Sequence, residues 1–93
     1  IEINQDTMEV SFKGKKLNLT IKEYDLLLLL IENKGKTLNK NYIFNTIWGE
    51  KSESENQTLT VHIKMLRDKI EEDSKNPVKI KTVWGVGYRY EEC

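Results

Sequence analysis

Apolar and polar positions alternate at the start of the chain. Ile1 and Ile3 stand between polar neighbours, as do Val10 and Phe12 after Met8, and Leu17 and Leu19 resume the rhythm beyond Lys13-Gly14-Lys15. A period of two interrupted by a glycine turn predicts an antiparallel meander of about three strands over residues 1–19, apolar on one face. The pattern changes at Thr20-Ile21-Lys22-Glu23. Thr20 can accept from the backbone N–H of Glu23 while Glu23 reaches back, the reciprocal cap that opens a helix. Leu26 to Leu30 follow as an unbroken leucine run. A helix apolar on nearly all sides belongs at the centre of a domain, so residues 20–34 are expected to form a buried helix that Gly35 terminates. Asn39 is a second cap candidate, and Tyr42, Ile43, Phe44 and Ile47 keep helical spacing up to Trp48, predicting a helix over 39–48. Residues 49–55 are polar and read as a loop. A third helix is expected over 56–73, broken by Lys75-Asn76-Pro77. Val78 to Val83 then alternates, Gly85-Val86-Gly87 turns, and Tyr88-Arg89-Tyr90 returns, a hairpin over 78–91. Strands, three helices and a hairpin make an α+β fold in one domain.

The third helix carries two apolar stripes. On a wheel of about 100° per residue, Leu59, Ile63, Leu66 and Ile70 fall together and form the core face. Gln57, Val61, Lys64, Met65 and Asp68 fall opposite, with Val61 and Met65 where a solvent stripe should be polar. Exposed apolar side chains are common and by themselves need no explanation. A covered face is the alternative, and a DNA major groove suits this mixture. Gln and Lys can hydrogen-bond base edges, while Val and Met can pack on a thymine methyl. Thr58, His62 and Arg67 lie on the flanks, where phosphate contacts would fall. The hairpin bears Lys79, Lys81 and Arg89, with Trp84 at its tip. It reads either as a surface hairpin whose Trp84 packs on the domain or as a basic ribbon touching backbone and minor groove.

Composition narrows the class. The chain has 93 residues, 38% hydrophobic and 32% charged, which fits one globular domain. Its 15 basic and 15 acidic side chains cancel, which ordinarily argues against nucleic acid. The sum hides two windows without acids, Asn56–Arg67 and Val78–Tyr90, separated by the acidic Asp68, Glu71, Glu72 and Asp73. The longest apolar run, Leu26–Ile31, is far short of a membrane span, and no signal peptide opens the chain, so a cytoplasmic protein is expected. A single cysteine, Cys93, excludes a disulfide framework and a multi-cysteine zinc site. One histidine without a nucleophile arrangement gives no catalytic site; neither enzyme activity, metal nor cofactor is expected. The chain starts on Ile1 rather than Met, which reads as a fragment or a processed chain.

Two stretches carry a resemblance. Thr58-Leu59-Thr60-Val61-His62-Ile63-Lys64-Met65-Leu66-Arg67-Asp68-Lys69-Ile70, followed by Ile80-Lys81-Thr82-Val83-Trp84-Gly85-Val86-Gly87-Tyr88-Arg89-Tyr90, resembles the OmpR/PhoB family of response-regulator effector domains. Leu19 to Leu27 is similar to that family's first-helix signature. The resemblance spans essentially the whole chain and implies a winged helix-turn-helix. The family fold has a four-stranded N-terminal sheet, and a short stretch near Thr37-Leu38 is a candidate for the fourth strand. It implies sequence-specific binding of double-stranded DNA and transcription regulation, with the third helix in the major groove and the hairpin wing in the minor groove. Base-edge candidates are Val61, Lys64, Met65 and Asp68. Backbone candidates are Trp48, Gln57, Thr58, His62, Arg67, Thr82 and Tyr88, and Gly85 and Gly87 shape the wing, which implies positive φ at both. The loop Gly49–Glu55, with Glu50, Glu53 and Glu55, corresponds to a transactivation loop that can contact RNA polymerase. A receiver domain would lie elsewhere in the full-length protein, and two effector domains would self-associate on tandem direct-repeat half-sites. Met65 and Asp68 stand where many relatives have Arg or Lys, and Trp84 where they have Arg. Weaker monomer binding than a basic relative is therefore expected. The competing reading is a winged-helix protein–protein module without DNA binding.

Overall fold

The computed structural model describes residues 1–49 and 56–91. Three short strands open it, β1 (Glu2–Asn4), β2 (Glu9–Phe12) and β3 (Lys15–Leu17). Then come α1 (Ile21–Glu32), β4 (Thr37–Asn39), α2 (Lys40–Trp48), α3 (Asn56–Ile70), β5 (Ile80–Val83) and β6 (Gly87–Tyr90). The strands form two antiparallel sheets of three, ordered β1-β2-β3 and β4-β6-β5, flanking the helices.

In the first sheet, Ile3, Val10 and Leu17 stand in one row across the three strands. Val10 is buried and the other two are half-buried, so this row is the face turned to the core. Met8 does not join it. It lies in the turn before β2 at φ 59°, half exposed, because the chain must reverse there.

The Thr20 cap forms as expected: Thr20 Oγ1 accepts from the Glu23 N–H at 3.2 Å, and Glu23 Oε1 accepts from the Thr20 N–H at 2.8 Å. Asn39 caps α2 through Oδ1 and the Asn41 N–H at 2.8 Å. Tyr24, Leu26, Leu27 and Leu30 of α1 are buried beside Ile43 and Phe44 of α2 and Leu59, Ile63, Leu66 and Ile70 of α3. That cluster is the core.

Several boundaries and pairings depart from expectation: α1 ends at Glu32 with Asn33 as its C-cap, before residue 34 and Gly35, and β5 starts at Ile80, after Val78. The stretch at Thr37 does form a strand, but it pairs with β6, with Leu38 opposite Tyr88, and not with the N-terminal sheet. The reason lies at Gly87. A Cβ there would collide with the Leu38 carbonyl oxygen and lie 3.0 Å from the Lys40 nitrogen. Gly87 is not at positive φ, so it serves close approach of β4; only Gly85, at φ 81°, serves turn geometry. Finally, α3 stops at Ile70, not at residue 73. The buried Glu71 carboxylate turns to the returning chain and accepts from the N–H groups of Val78 (3.1 Å), Lys79 (2.9 Å) and Ile80 (2.9 Å).

Glu23 joins α1 to α3. Its carboxylate is fully buried and accepts from Lys69 Nζ at 2.8 and 3.1 Å. Burial works to raise its pKa, yet the Lys69 ammonium and the Thr20 donors outweigh burial and hold it below the ordinary 4.5.

Two outcomes test these constraints. Gly87→Ala should lower the unfolding free energy in urea by about 2 kcal/mol or more, through overpacking against Leu38. Gly85→Ala should lose only about 1 kcal/mol, from left-handed strain; equal losses would show that close approach is not the constraint. Because Glu23 has a depressed pKa in the folded state, its stabilisation is present above pH 4.5 and fades as the pH falls below it. Glu23→Gln should therefore cost about 2 kcal/mol at neutral pH and progressively less in acid, read from urea midpoints across a pH series.

Candidate nucleic-acid interface

The core face of α3 is sealed, and that forces its other side outward. Leu59, Ile63, Leu66 and Ile70 are at most 1% exposed. One helix diameter away, Gln57, Lys64 and Asp68 are exposed, with Val61 at 51% and Met65 at 37%. The expected outward stripe is therefore present. Thr60, also exposed and one turn before Lys64, belongs beside it. Its moderate polarity carried no signal in the sequence.

The N-terminal end of the stripe meets α2. Trp48 stacks on Phe44 at 5.1 Å between ring centroids, and the His62 ring meets Trp48 edge-on at 4.9 Å. His62 Nδ1 lies 2.8 Å from the Thr58 carbonyl oxygen. A carbonyl only accepts, so Nδ1 carries the proton, and Nε2 can donate to a phosphate oxygen only when the ring holds both protons. Gln57, Thr58, Val61 and His62 line a shallow depression of about 330 Å³ at this end. Lys22, which sequence reasoning passed over, donates from Nζ to the Ile47 carbonyl at 2.8 Å and lies 5.9 Å from the Trp48 ring centroid. Trp48, Gln57, Thr58 and His62 are thus brought together. Glu50, Glu53 and Glu55 lie outside the described residues.

The C-terminal end holds the wing. Arg67 Nε and Nη2 donate to the Ile80 carbonyl at 3.2 and 2.8 Å, and Nη2 also donates to Thr82 Oγ1 at 2.8 Å. The guanidinium sits 5.8 Å from the centroid of the Tyr88 ring, and Tyr88 is buried. Burial lowers the Arg67 pKa from its ordinary range, against Tyr88 and Glu71, which raise it. This corrects the expectation that Arg67 and Tyr88 reach phosphate: both are turned inward to join α3 to the hairpin. Thr82 accepts from Arg67 and keeps only its own O–H to offer outward.

The basic hairpin is also less basic than its sequence. Lys79 precedes β5 and lies over the Phe12 ring at 4.5 Å, against the N-terminal sheet. Arg89 donates from Nε to Glu91 at 2.6 Å and from Nη1 to Thr37 Oγ1 at 3.2 Å. Neither projects as a free cation. Lys64 on α3 and Lys81 on β5 remain without an ion pair among the described residues. Trp84 at the tip is 90% exposed and does not pack on the domain.

The family model "Transcriptional regulatory protein, C terminal" matches residues 14–90. The chain belongs to this family, as an OmpR/PhoB-type C-terminal domain. The regulatory protein VanR of Enterococcus faecium is 45% identical over 91 residues, 97% of this chain and 39% of VanR. The response regulator DrrB of Thermotoga maritima, described as an OmpR/PhoB homolog, superposes with a TM-score of 0.89 at 36% identity, over 97% of this chain and 41% of DrrB. The AdeR DNA-binding domain, solved in complex with an intercistronic region, gives a TM-score of 0.79 at 31% identity, over 98% of this chain and 93% of that one. This OmpR/PhoB-type domain thus spans about two fifths of the length of VanR and of DrrB.

In such a domain the Arg67 tie should govern how firmly the wing is held. Arg67→Met should lower stability by about 2 kcal/mol, since hydrogen bonds from a charged donor are lost and the Ile80 carbonyl is left without them. Amide hydrogen exchange should then quicken in β5 and β6 more than in α1. Uniform quickening throughout the chain would show that the tie does not act on the wing.

Proposed function

We propose that this domain binds double-stranded DNA sequence-specifically as the transcription-regulating output of a two-component response regulator. The observation that carries this reading is the outward stripe of α3 beside a wing held by the same helix. A fully buried face on one side leaves Gln57, Val61, Lys64, Met65 and Asp68 as a rigid, mixed polar and apolar surface. An α-helix of this kind fits a major groove, with Lys64 for base edges, Val61 and Met65 for thymine methyls, Asp68 for a cytosine amine and Gln57 for the backbone. Trp48, Thr58, His62 and the Thr82 hydroxyl lie at its margins for phosphate and sugar, and the wing lies over the adjacent minor groove. The AdeR complex supports this reading by likeness. The remaining partners follow from the same reading: a receiver domain in the full-length protein, self-association on tandem half-sites, and RNA polymerase at the loop holding Glu50, Glu53 and Glu55. The protein would act in the cytoplasm; no described helix is long and apolar enough to cross a membrane.

The apolar Val61 and Met65 and the zero net charge favour a second reading, a protein-binding face. Salt separates the two. Fluorescence anisotropy on duplexes selected from a random pool should show affinity falling with rising salt, at a logarithmic slope of about −2 per domain. That slope is shallow because few cations are free to release counterions, each contributing roughly −0.9. Lys64→Ala should lose about tenfold on the selected duplex and discriminate less at one base pair. Failure to bind any duplex even at low salt, with salt-insensitive binding to a protein partner, would overturn the DNA reading.

A further inference from the structure

The most exposed large apolar side chain described is not on α3. Trp84 is 90% exposed, beyond Ile21 at 69%, and Val86 beside it is 43% exposed. An indole is a large flat apolar body with one N–H donor, and such groups ordinarily find cover. Here nothing among the described residues covers it, although the turn that carries it is firmly built. The Val86 N–H donates to the Val83 carbonyl at 3.0 Å, closing the turn around Trp84 and Gly85. The Val86 carbonyl accepts from the Lys40 N–H at 3.2 Å, which anchors the tip to the start of α2. Gly87 is pressed against Leu38, and Arg67 holds β5 to α3. The backbone that carries the indole is therefore held at a set position relative to the outward stripe of α3.

We infer that Trp84 is a minor-groove wedge that inserts at, and selects for, a deformable base step beside the sequence read by α3. This rests on the DNA reading above and adds to it the element that reads DNA shape. The surroundings admit a polyanion: no carboxylate lies between Ile80 and Tyr90, and Lys81 has no ion pair among the described residues, while Arg89 is engaged by Glu91 and Thr37. The side chain itself has no charge. A narrow A-tract groove attracts cations, so an indole gains little there. An apolar wedge instead unstacks a step, and pyrimidine–purine steps unstack most readily. Stacking of a base on an aromatic ring is large enough to repay the opening.

The test uses duplexes selected with the wild-type domain, varied only at the step under the wing: TA, CA or an A-tract. Wild type should prefer TA and CA over the A-tract. Trp84→Ala should lose about tenfold or more on TA and CA and at most about threefold on the A-tract, whereas Trp84→Phe retains most of the preference. Trp84→Arg should shift the preference toward the A-tract. Duplex binding should also quench indole fluorescence, and Trp84→Phe should reduce the change to what Trp48 alone contributes, while Trp48→Phe measures the complementary share. At nine-tenths exposure the Trp84 variants should keep the wild-type circular dichroism. Wild type binding duplex while Trp84→Ala loses nothing, or loses equally on all three steps, overturns the wedge and leaves DNA binding standing. Wild type binding no duplex overturns both. Concentration-dependent self-association without DNA that Trp84→Ala abolishes would instead assign the indole to a second copy of this chain.

Discussion

The end of α3 and the residue just after it grip the backbone of Ile80 on both sides. Arg67 donates to its carbonyl oxygen, Glu71 accepts from its N–H, and its side chain is fully buried. The hairpin contains only two four-residue strands, and an isolated ribbon of that size is marginal in water. Its position therefore depends on what holds it. Two charged side chains one helical turn apart, each making charge-assisted hydrogen bonds, fix β5 against α3. Strand β4 then completes the sheet from the other edge, where Gly87 lets it approach. Helix and wing become one surface because the same helical turn serves both.

That use of charge explains how a domain with no net charge can present a face for an anionic partner. Arg67, Lys69 and Arg89 are engaged inside the fold or at its edges, with Ile80 and Thr82, with Glu23, and with Glu91 and Thr37. Lys79 lies over Phe12, and Lys13 pairs with Glu72. The interface is thereby left with few free cations, and its character comes from shape, apolar contact and hydrogen bonds. Charged groups at this site act mainly on the geometry of the protein, and less on long-range attraction.

Much of the site was legible one-dimensionally because helical periodicity assigns faces without reference to partners. Leu59, Ile63, Leu66 and Ile70 had to face inward, so Val61, Lys64, Met65 and Asp68 had to face out. The fate of Trp84 was not legible, since a hairpin tip can fold back or stand clear with the same local pattern. The inward ties of Arg67 and Tyr88 were not legible either, for a related reason. A cation and a phenol beside a groove read as phosphate ligands, but the groups that engage Arg67 lie thirteen to twenty-one positions away in the chain, beyond any local pattern.

The amino-acid sequence by itself determined the elements, their caps and their two-faced character, because capping pairs and apolar periods act between neighbours a few residues apart. Tertiary structure alone decided where α3 ends, which sheet β4 joins and which cations remain free. Those outcomes depend on contacts between distant segments: a carboxylate meeting three returning amides, a glycine with no room for a methyl group, a guanidinium folded onto a strand. Each is a competition for partners, and only the assembled chain shows which partner is within reach.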